Sequence, residues 1–358
     1  MSFRFPNTME ANTFSLSSLL PPLSPDATHH VVLILDVDGV TRSCVGSAVD
    51  RRVTRRVSRL ITTLGRDNIR VNFLSGSPLL SDLGRPEWCR GNLGLCTAFS
   101  GCFPEEWLNS GVVSIYGQFG TERLVSSAGD VEILAQFSDA QVAKITKALL
   151  SLYLTTAVKE RGQTQLEKWL DVLVRADDVS TPLIADIAND IRTTYDRGFR
   201  LLTSHSVVET HEEQHITDTV LSPGKLHTML DGVLPPTASC CAGIAHRKGA
   251  EFRYLSCSYT NKGTSANSIV AKCKGALCPD PAVITAGDGC LDYSMHKLAH
   301  VSFHVGPASV FEMQQGSFPH VALVDGGGTH CDGTVKVLDF LLYSLTEITF
   351  DDEMEVDK

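Results

Sequence analysis

The chain has 358 residues, 43% hydrophobic and 20% charged, enough to bury a substantial core without disulfides or a structural metal. The formal charge is −10, from 31 basic and 41 acidic side chains, and no basic stretch offsets it. That balance argues against a nucleic-acid-binding surface or a tether to acidic membranes. The longest apolar runs, such as Val31-Val32-Leu33-Ile34-Leu35, fall far short of the ~20 residues a membrane span needs.

Residues 1–28 are rich in Ser, Thr, Asn and Pro without sustained periodicity, and read as a mobile tail. Residues 30–37 form a continuous aliphatic run, the pattern of a strand buried on both faces of a parallel sheet. The spacing of Val53, Val57, Leu60, Ile61 and Leu64 predicts a helix over 51–64, with arginines on its opposite face. Strands follow at 69–74 and 112–116. After residue 125 the texture changes: 139–158, 164–174 and 183–195 are amphipathic helices. The stretches 199–209, 216–221, 240–246 and 251–256 alternate polar and apolar residues, as in an antiparallel sheet with one wet face. From residue 265 the chain returns to helix, then to an apolar strand at 282–286. Residues 348–358, with the acidic run at 351–355, read as an acidic C-terminal tail. The expected class is therefore α/β, interrupted by an α+β insertion.

The strongest chemical signal follows the first strand, at Asp36-Val37-Asp38-Gly39. Extended geometry sends positions i and i+2 to the same side, so the two carboxylates repel unless something positive lies beside them. A hard divalent cation such as Mg²⁺ fits, since it takes carboxylate and carbonyl oxygens. Taken alone, the same four residues also suit a surface Asx-turn. A second acidic loop, Gly287-Asp288-Gly289-Cys290-Leu291-Asp292, follows the strand at 282–286. In an open α/β sheet, loops at the carboxyl ends of strands converge, so the two acidic loops can meet. Four aspartates together call for a metal and a lysine, and Lys262 in Asn261-Lys262-Gly263 is the candidate. The turn Ser75-Gly76-Ser77, after the strand at 69–74, is of the small hydroxyl-bearing kind that hydrogen-bonds a phosphate oxygen.

Strand–DxDG, strand–Ser-Gly, Lys-Gly and strand–GDxxxD, in that order, resemble the haloacid dehalogenase (HAD) superfamily of phosphohydrolases. The likeness covers about residues 30–120 and 255–310. The long insertion between the second and third motifs resembles the sugar-phosphatase branch, which includes the trehalose-phosphate, sucrose-phosphate and Cof-type phosphatases. Residues 116–122 (Tyr-Gly-Gln-Phe-Gly-Thr-Glu), Met295 and the run His304-Val305-Gly306-Pro307-Ala308 also fit that branch. The resemblance implies a Rossmann-like parallel-sheet core over 29–124 and 255–347, and an inserted α+β cap over 125–254. A cap of that length is expected to cover the site and supply specificity contacts.

By the same resemblance Asp36 is the nucleophile that forms an aspartyl-phosphate. Asp38 protonates the leaving oxygen and then activates water. Ser75 and Gly76 hold the phosphoryl group, and Lys262 neutralises it. Asp36, Asp288 and the carbonyl of Asp38 bind Mg²⁺, while Asp292 orders the metal's surroundings or pairs with Lys262. The implied substrate is a small phosphorylated metabolite of sugar-phosphate type, and no feature identifies which. A phosphotransferase or mutase using the same aspartyl-phosphate, and a non-catalytic binding protein on the same fold, are the alternatives; oligomeric state is not legible. Two departures from the family pattern stand out. Ser77 occupies a position where relatives often carry Arg, and Leu291 one where Asn or Thr commonly precedes the last aspartate.

Other signals read as structural. His211-Glu212-Glu213-Gln214-His215 matches the zinc-protease pattern, but its flanks favour strands joined by a polar turn, so a solvated hairpin tip is expected. Gly326-Gly327-Gly328 reads as a loop, and Arg51, Arg52, Arg55, Arg56 and Arg59 as the wet face of their helix. The chain has 11 cysteines, and neither Cys273-x4-Cys278 nor Cys240-Cys241 with His246 comes with a second ligand pair. They read as free, inert thiols in a reducing, cytoplasmic setting.

Overall fold

The computed structural model describes residues 3–4, 30–43, 47–80, 94–161, 164–176, 179–212, 222–247, 250–314, 317–318, 320–324 and 330–346. The chain divides into two compact units: one combines 1–134 with 262–358, and the other is the inserted stretch 135–261.

In chain order the first unit begins with β1 (Phe3–Arg4), β2 (Val31–Leu35), α1 (Arg51–Leu64) and β3 (Ile69–Leu74). Then come α2 (Leu95–Ala98), α3 (Glu105–Asn109), β4 (Val113–Gly117), β5 (Glu122–Leu124) and β6 (Val131–Ile133). The inserted unit holds α4 (Asp139–Arg161), α5 (Thr164–Arg175), α6 (Thr181–Thr194), β7 (Arg200–Thr203) and β8 (Val207–Glu212). It ends with α7 (Pro223–Met229), β9 (Ser239–Arg247) and β10 (Ala250–Ser258). The first unit resumes with α8 (Lys262–Ala276), β11 (Ala282–Gly287), α9 (Tyr293–His296) and β12 (Val301–His304). It closes with α10 (Ala308–Gln314), β13 (Val321–Val324) and α11 (His330–Thr346).

The sheet of the first unit runs β1-β13-β12-β11-β2-β3-β4-β5-β6. Neighbours from β13 to β4 are parallel, and antiparallel β1, β5 and β6 extend the two edges. The run at β2 is apolar throughout because it is covered on both faces. Val31, Leu33 and Leu35 pack with Val53, Val57, Leu60 and Ile61 of α1 and with α11, while Val32 and Ile34 meet Ala266, Ile269 and Val270 of α8. Burying each such side chain contributes roughly 1.5–3 kcal/mol. From β2 the chain builds outward through β3 and β4 on one side, and later through β11, β12 and β13 on the other. The crevice between the β2 and β11 ends is thus the switch point where ligands of open α/β sheets bind.

The inserted unit has an antiparallel sheet, β7-β8-β10-β9, whose Val208, Leu255 and Cys257 pack with Tyr153, Leu166, Ile187 and Phe199. Among the described residues no helix is long and apolar enough to cross a membrane.

Several details differ from expectation. The boundaries of the units fall ten and seven residues later than 125 and 254, because β6 still belongs to the first sheet and β10 runs on to Ser258. Phe3 and Arg4, inside the expected tail, pair with Val324 and Leu323. The alternating stretch 199–209 is a hairpin rather than one strand, since Ser204 bonds back to Val207 and turns the chain. His211 and Glu212 lie within β8 itself, paired to Tyr254 and Arg253, so the zinc-protease pattern starts on a strand and not at a hairpin tip. The rest of that pattern, the predicted strand at 216–221, the triple glycine and the acidic tail lie outside the described residues. The arginine face of α1 is partly paired: Arg52 reaches Asp332 at 2.7 Å and Arg56 reaches Asp339 at 2.6 Å on α11.

Candidate active site

Asp36 is the first residue beyond β2, and its amide donates to Ala286 of β11 at 2.9 Å, which ties the two strand ends together. Its carboxylate is buried, and Lys262, at the start of α8, sets its Nζ 2.6 Å from Asp36 Oδ1 and 2.5 Å from Asp292 Oδ1. Asp292 does two jobs. One oxygen holds Lys262, and the other accepts the amides of Asp288 and Gly289, each at 2.9 Å. That clasp folds the loop after β11 so that Asp36, Asp288 and Asp292 each bring a carboxylate oxygen within 4.8 Å of the others. Among the described residues this is the only such cluster of potential metal ligands.

Two glycines permit the approach. Gly39 has φ +86°, a region L-residues avoid, and a Cβ there would lie 2.0 Å from Asp288 Oδ2. At Gly306 a Cβ would lie 2.1 Å from the carbonyl oxygen of Asp288, so the segment after β12 packs directly behind that loop.

The electrostatics are unbalanced. Burial, then the neighbouring charge of Asp292, with Asp288 and Asp38 adding to it, pushes the Asp36 carboxyl well above the usual carboxylate range despite Lys262. Burial works against the charge on Lys262 too, but Asp292 and Asp36 outweigh it and raise the ammonium's pKa. At Asp292 burial is likewise outweighed, by Lys262 and by the Gly289 amide, and that carboxyl is held low. One lysine therefore serves two carboxylates, and Asp288 adds a third. An oxygen-rich, excess-negative cluster of this kind fits a hard divalent cation.

Asp38 stands apart from that cluster. Arg42, fully buried, places Nε 2.6 Å from Asp38 Oδ1. Ser75 Oγ and Ser77 Oγ donate to Asp38 Oδ2 at 2.9 and 2.7 Å. Ser75 Oγ also accepts the Ser77 amide at 2.9 Å, which folds the turn after β3 tightly beneath Asp38. Gly76 faces the ring of Phe119, where a Cβ would lie 3.0 Å from the nearest ring carbon. Phe119 and Gln118 both hold positive φ, 60° and 50°, and their amides donate to Ser75 and Ser77 carbonyls at 2.8 and 3.0 Å. This strained turn braces the Ser75–Ser77 segment.

All seven residues expected from sequence thus lie at the carboxyl ends of β2, β3 and β11 or at the start of α8, in two linked groups. Three further roles were not anticipated. Ser77, read as part of the hydroxyl-bearing turn and as a departure, is a partner of Asp38, and a guanidinium is present after all, supplied by Arg42. Phe119 completes the set. The signal for Arg42 was its place four residues after an aspartate that needed a cation. Leu291, the other departure, is 37% exposed, and it contributes only its carbonyl, which accepts from Ser294 Oγ at 2.8 Å.

No family model matches the chain, and no curated protein matches it. Solved structures resemble it distantly. A haloacid dehalogenase-like hydrolase from B. subtilis is similar at 11% identity, with 87% of this chain and 99% of that one covered and a TM-score of 0.46. The IMP-bound, N-terminally truncated IMP-nucleotidase of Plasmodium falciparum is similar at 10% identity, 89% and 69% coverage and a TM-score of 0.43. Trehalose-6-phosphate phosphatase of Aspergillus fumigatus is similar at 14% identity, 87% and 93% coverage and a TM-score of 0.40.

Proposed function

We propose that the chain is a metal-dependent phosphatase of HAD type, hydrolysing a phosphomonoester of a sugar or similar small metabolite through an aspartyl-phosphate. The observation that carries this reading is the meeting of Asp36, Lys262, Asp288 and Asp292 at the switch point, with Asp38 held separately two residues beyond Asp36.

The roles are those that the resemblance implies, and the positions of the side chains agree with them. A carboxylate oxygen of Asp36 attacks phosphorus, forming a P–O bond to the protein as the ester P–O bond breaks. Asp38 delivers the proton to the departing oxygen and later takes one from the water that attacks phosphorus, as the P–O bond to Asp36 breaks and phosphate leaves. Arg42 fixes the orientation of Asp38 for both transfers, being bonded to one carboxylate oxygen while the serines hold the other. When the ester binds, the Ser75 and Ser77 hydroxyls turn their single protons from Asp38 to the phosphoryl oxygens, and Lys262 offsets the charge of nucleophile and phosphoryl together. Asp36, Asp288 and the Asp38 carbonyl are the groups to hold Mg²⁺, which when bound supplies charge neutralisation and a template for in-line transfer. A cytosolic setting belongs to the same reading and rests on cysteine usage alone.

The experiment is phosphate release from a panel of sugar and other small phosphomonoesters, with Mg²⁺ and with EDTA. Release that requires the metal is expected for at least one ester. Tight binding of esters with no turnover, or transfer to an added sugar without free phosphate, would replace hydrolysis by the binding-protein or transferase reading.

A further inference from the structure

Residue spacing alone reads Cys240 and Cys257 as inert thiols and sets Cys240 only beside Cys241 and His246. The strand register places them otherwise. Cys240 of β9 is the direct cross-strand partner of Cys257 of β10, and Cys241 is that of Ser256. Directly opposed residues of an antiparallel pair have Cα atoms about 4.5–5.5 Å apart and side chains on one face. That separation lies inside the span of about 4.4–6.8 Å that a disulfide bridges. Both thiols are free, Cys257 is fully buried in the core of the inserted unit, and Cys240 is half-buried at its edge.

We infer that Cys240 and Cys257 form a peroxide-oxidisable dithiol, in which half-buried Cys240 is the attacking thiol and buried Cys257 resolves it as a cross-strand disulfide. The chemistry of the surroundings agrees. A hydrogen bond from the Cys257 thiol, outweighing burial, together with hydrogen bonding and charge from His227 of α7, lowers the Cys240 pKa to about 7. The hydrogen bond with Cys240, followed by burial, raises that of Cys257, so the two thiols divide into attacker and resolver. Cys241, one residue away on the opposite face, is raised by burial and hydrogen-bonds Ser256 at 2.9 Å. Thiolate character selects the sulfur that reacts first.

The oxidant class is a hydroperoxide. The Cys240 thiolate attacks its terminal oxygen; an S–O bond forms, the O–O bond breaks, and the alkoxide or hydroxide leaves with the proton that the thiol had given up. The Cys257 sulfur then displaces the hydroxyl of the Cys240 sulfenic acid, forming S–S as S–O breaks, and its proton leaves with the hydroxyl as water. Two thiols lose two electrons in all, and one hydroperoxide is reduced.

The test treats the full chain with hydrogen peroxide, blocks the remaining thiols and maps linked peptides by mass spectrometry without reduction. The expected product joins the Cys240 and Cys257 peptides, lighter by two hydrogens than their sum and reversed by a phosphine reductant. In C257S, dimedone is expected to label Cys240; in C241S the link is expected unchanged. Before oxidation, Cys240 is expected to alkylate at neutral pH at least about tenfold faster than Cys241. Peroxide that modifies exposed Cys290 while Cys240 and Cys257 are both recovered as free thiols would overturn the proposal. So would a link from Cys240 to any other cysteine. The wild-type map decides the matter even where a variant fails to fold.

Discussion

Lys262 Nζ lies 2.6 Å from Asp36 Oδ1, in a place where both side chains are almost wholly buried. The pair joins the end of β2 to the start of α8, the point at which the chain resumes the first unit after the inserted stretch. Because Lys262 also holds Asp292, its loss strands two buried carboxylates at once. Lys262→Met is expected to lower the stability of the metal-free protein by about 3 kcal/mol, the cost of breaking a buried ion pair from one side. Chemical denaturation compares the two proteins, and unchanged stability would show that the lysine balances no charge there.

Arg42 carries no phosphate role in this account, only the orientation of Asp38. Arg42→Gln is therefore expected to lower kcat by about a hundredfold, the scale of a 1 Å misplacement, with KM little changed. Steady-state kinetics on the best ester of the panel checks it. A rise in KM alone would make Arg42 a substrate-binding group instead.

Gly39 has no room for a methyl group and a backbone that disfavours one. Gly39→Ala is expected to cost at least about 1 kcal/mol from the left-handed conformation alone. It is also expected to displace Asp288, raising the Mg²⁺ concentration needed for half-maximal rate by about tenfold or more. Metal titration of the folded variant reads the second effect apart from the first.

Asp50 caps α1, accepting the Arg52 amide at 2.8 Å and its guanidinium at 2.7 Å. Hydrogen bonding from the Arg52 side chain, ahead of the opposing effect of burial, holds the Asp50 carboxyl below its ordinary value. A depressed folded pKa means that the stabilisation is present above the unfolded value, about pH 4, and is lost as pH falls through the folded one. Asp50→Ala is expected to cost about 1 kcal/mol at pH 7, with wild type and variant converging as pH drops below 4. Denaturation midpoints across that range provide the comparison.

The central strands were legible because burial on both faces makes β2 and β11 unbroken apolar runs, and the acidic loops begin where those runs stop. Asp36, Asp288 and Lys262 could be placed from that pattern and from motif order. Arg42, and the contact of Ser77 with Asp38, could not, since a loop has no periodicity to show which side chain turns inward. The hairpin of β7 and β8 was hidden for a related reason: its turn, within the polar run Thr203-Ser204-His205-Ser206, carries no Gly, Pro, Asn or Asp to mark it. Strands as short as β5 and β6 bury too little to leave a pattern, and β1 has only two residues. The pairing of Cys240 with Cys257 depends on strand register, which spacing alone does not reveal.

The most direct test of the account is phosphate release by wild type and Asp36→Asn on the best ester, with saturating Mg²⁺. Asn preserves the shape of the side chain while removing the nucleophilic carboxylate. The account predicts that the variant binds the ester yet releases no phosphate above background. Hydrolysis by Asp36→Asn at a rate near that of wild type would contradict it.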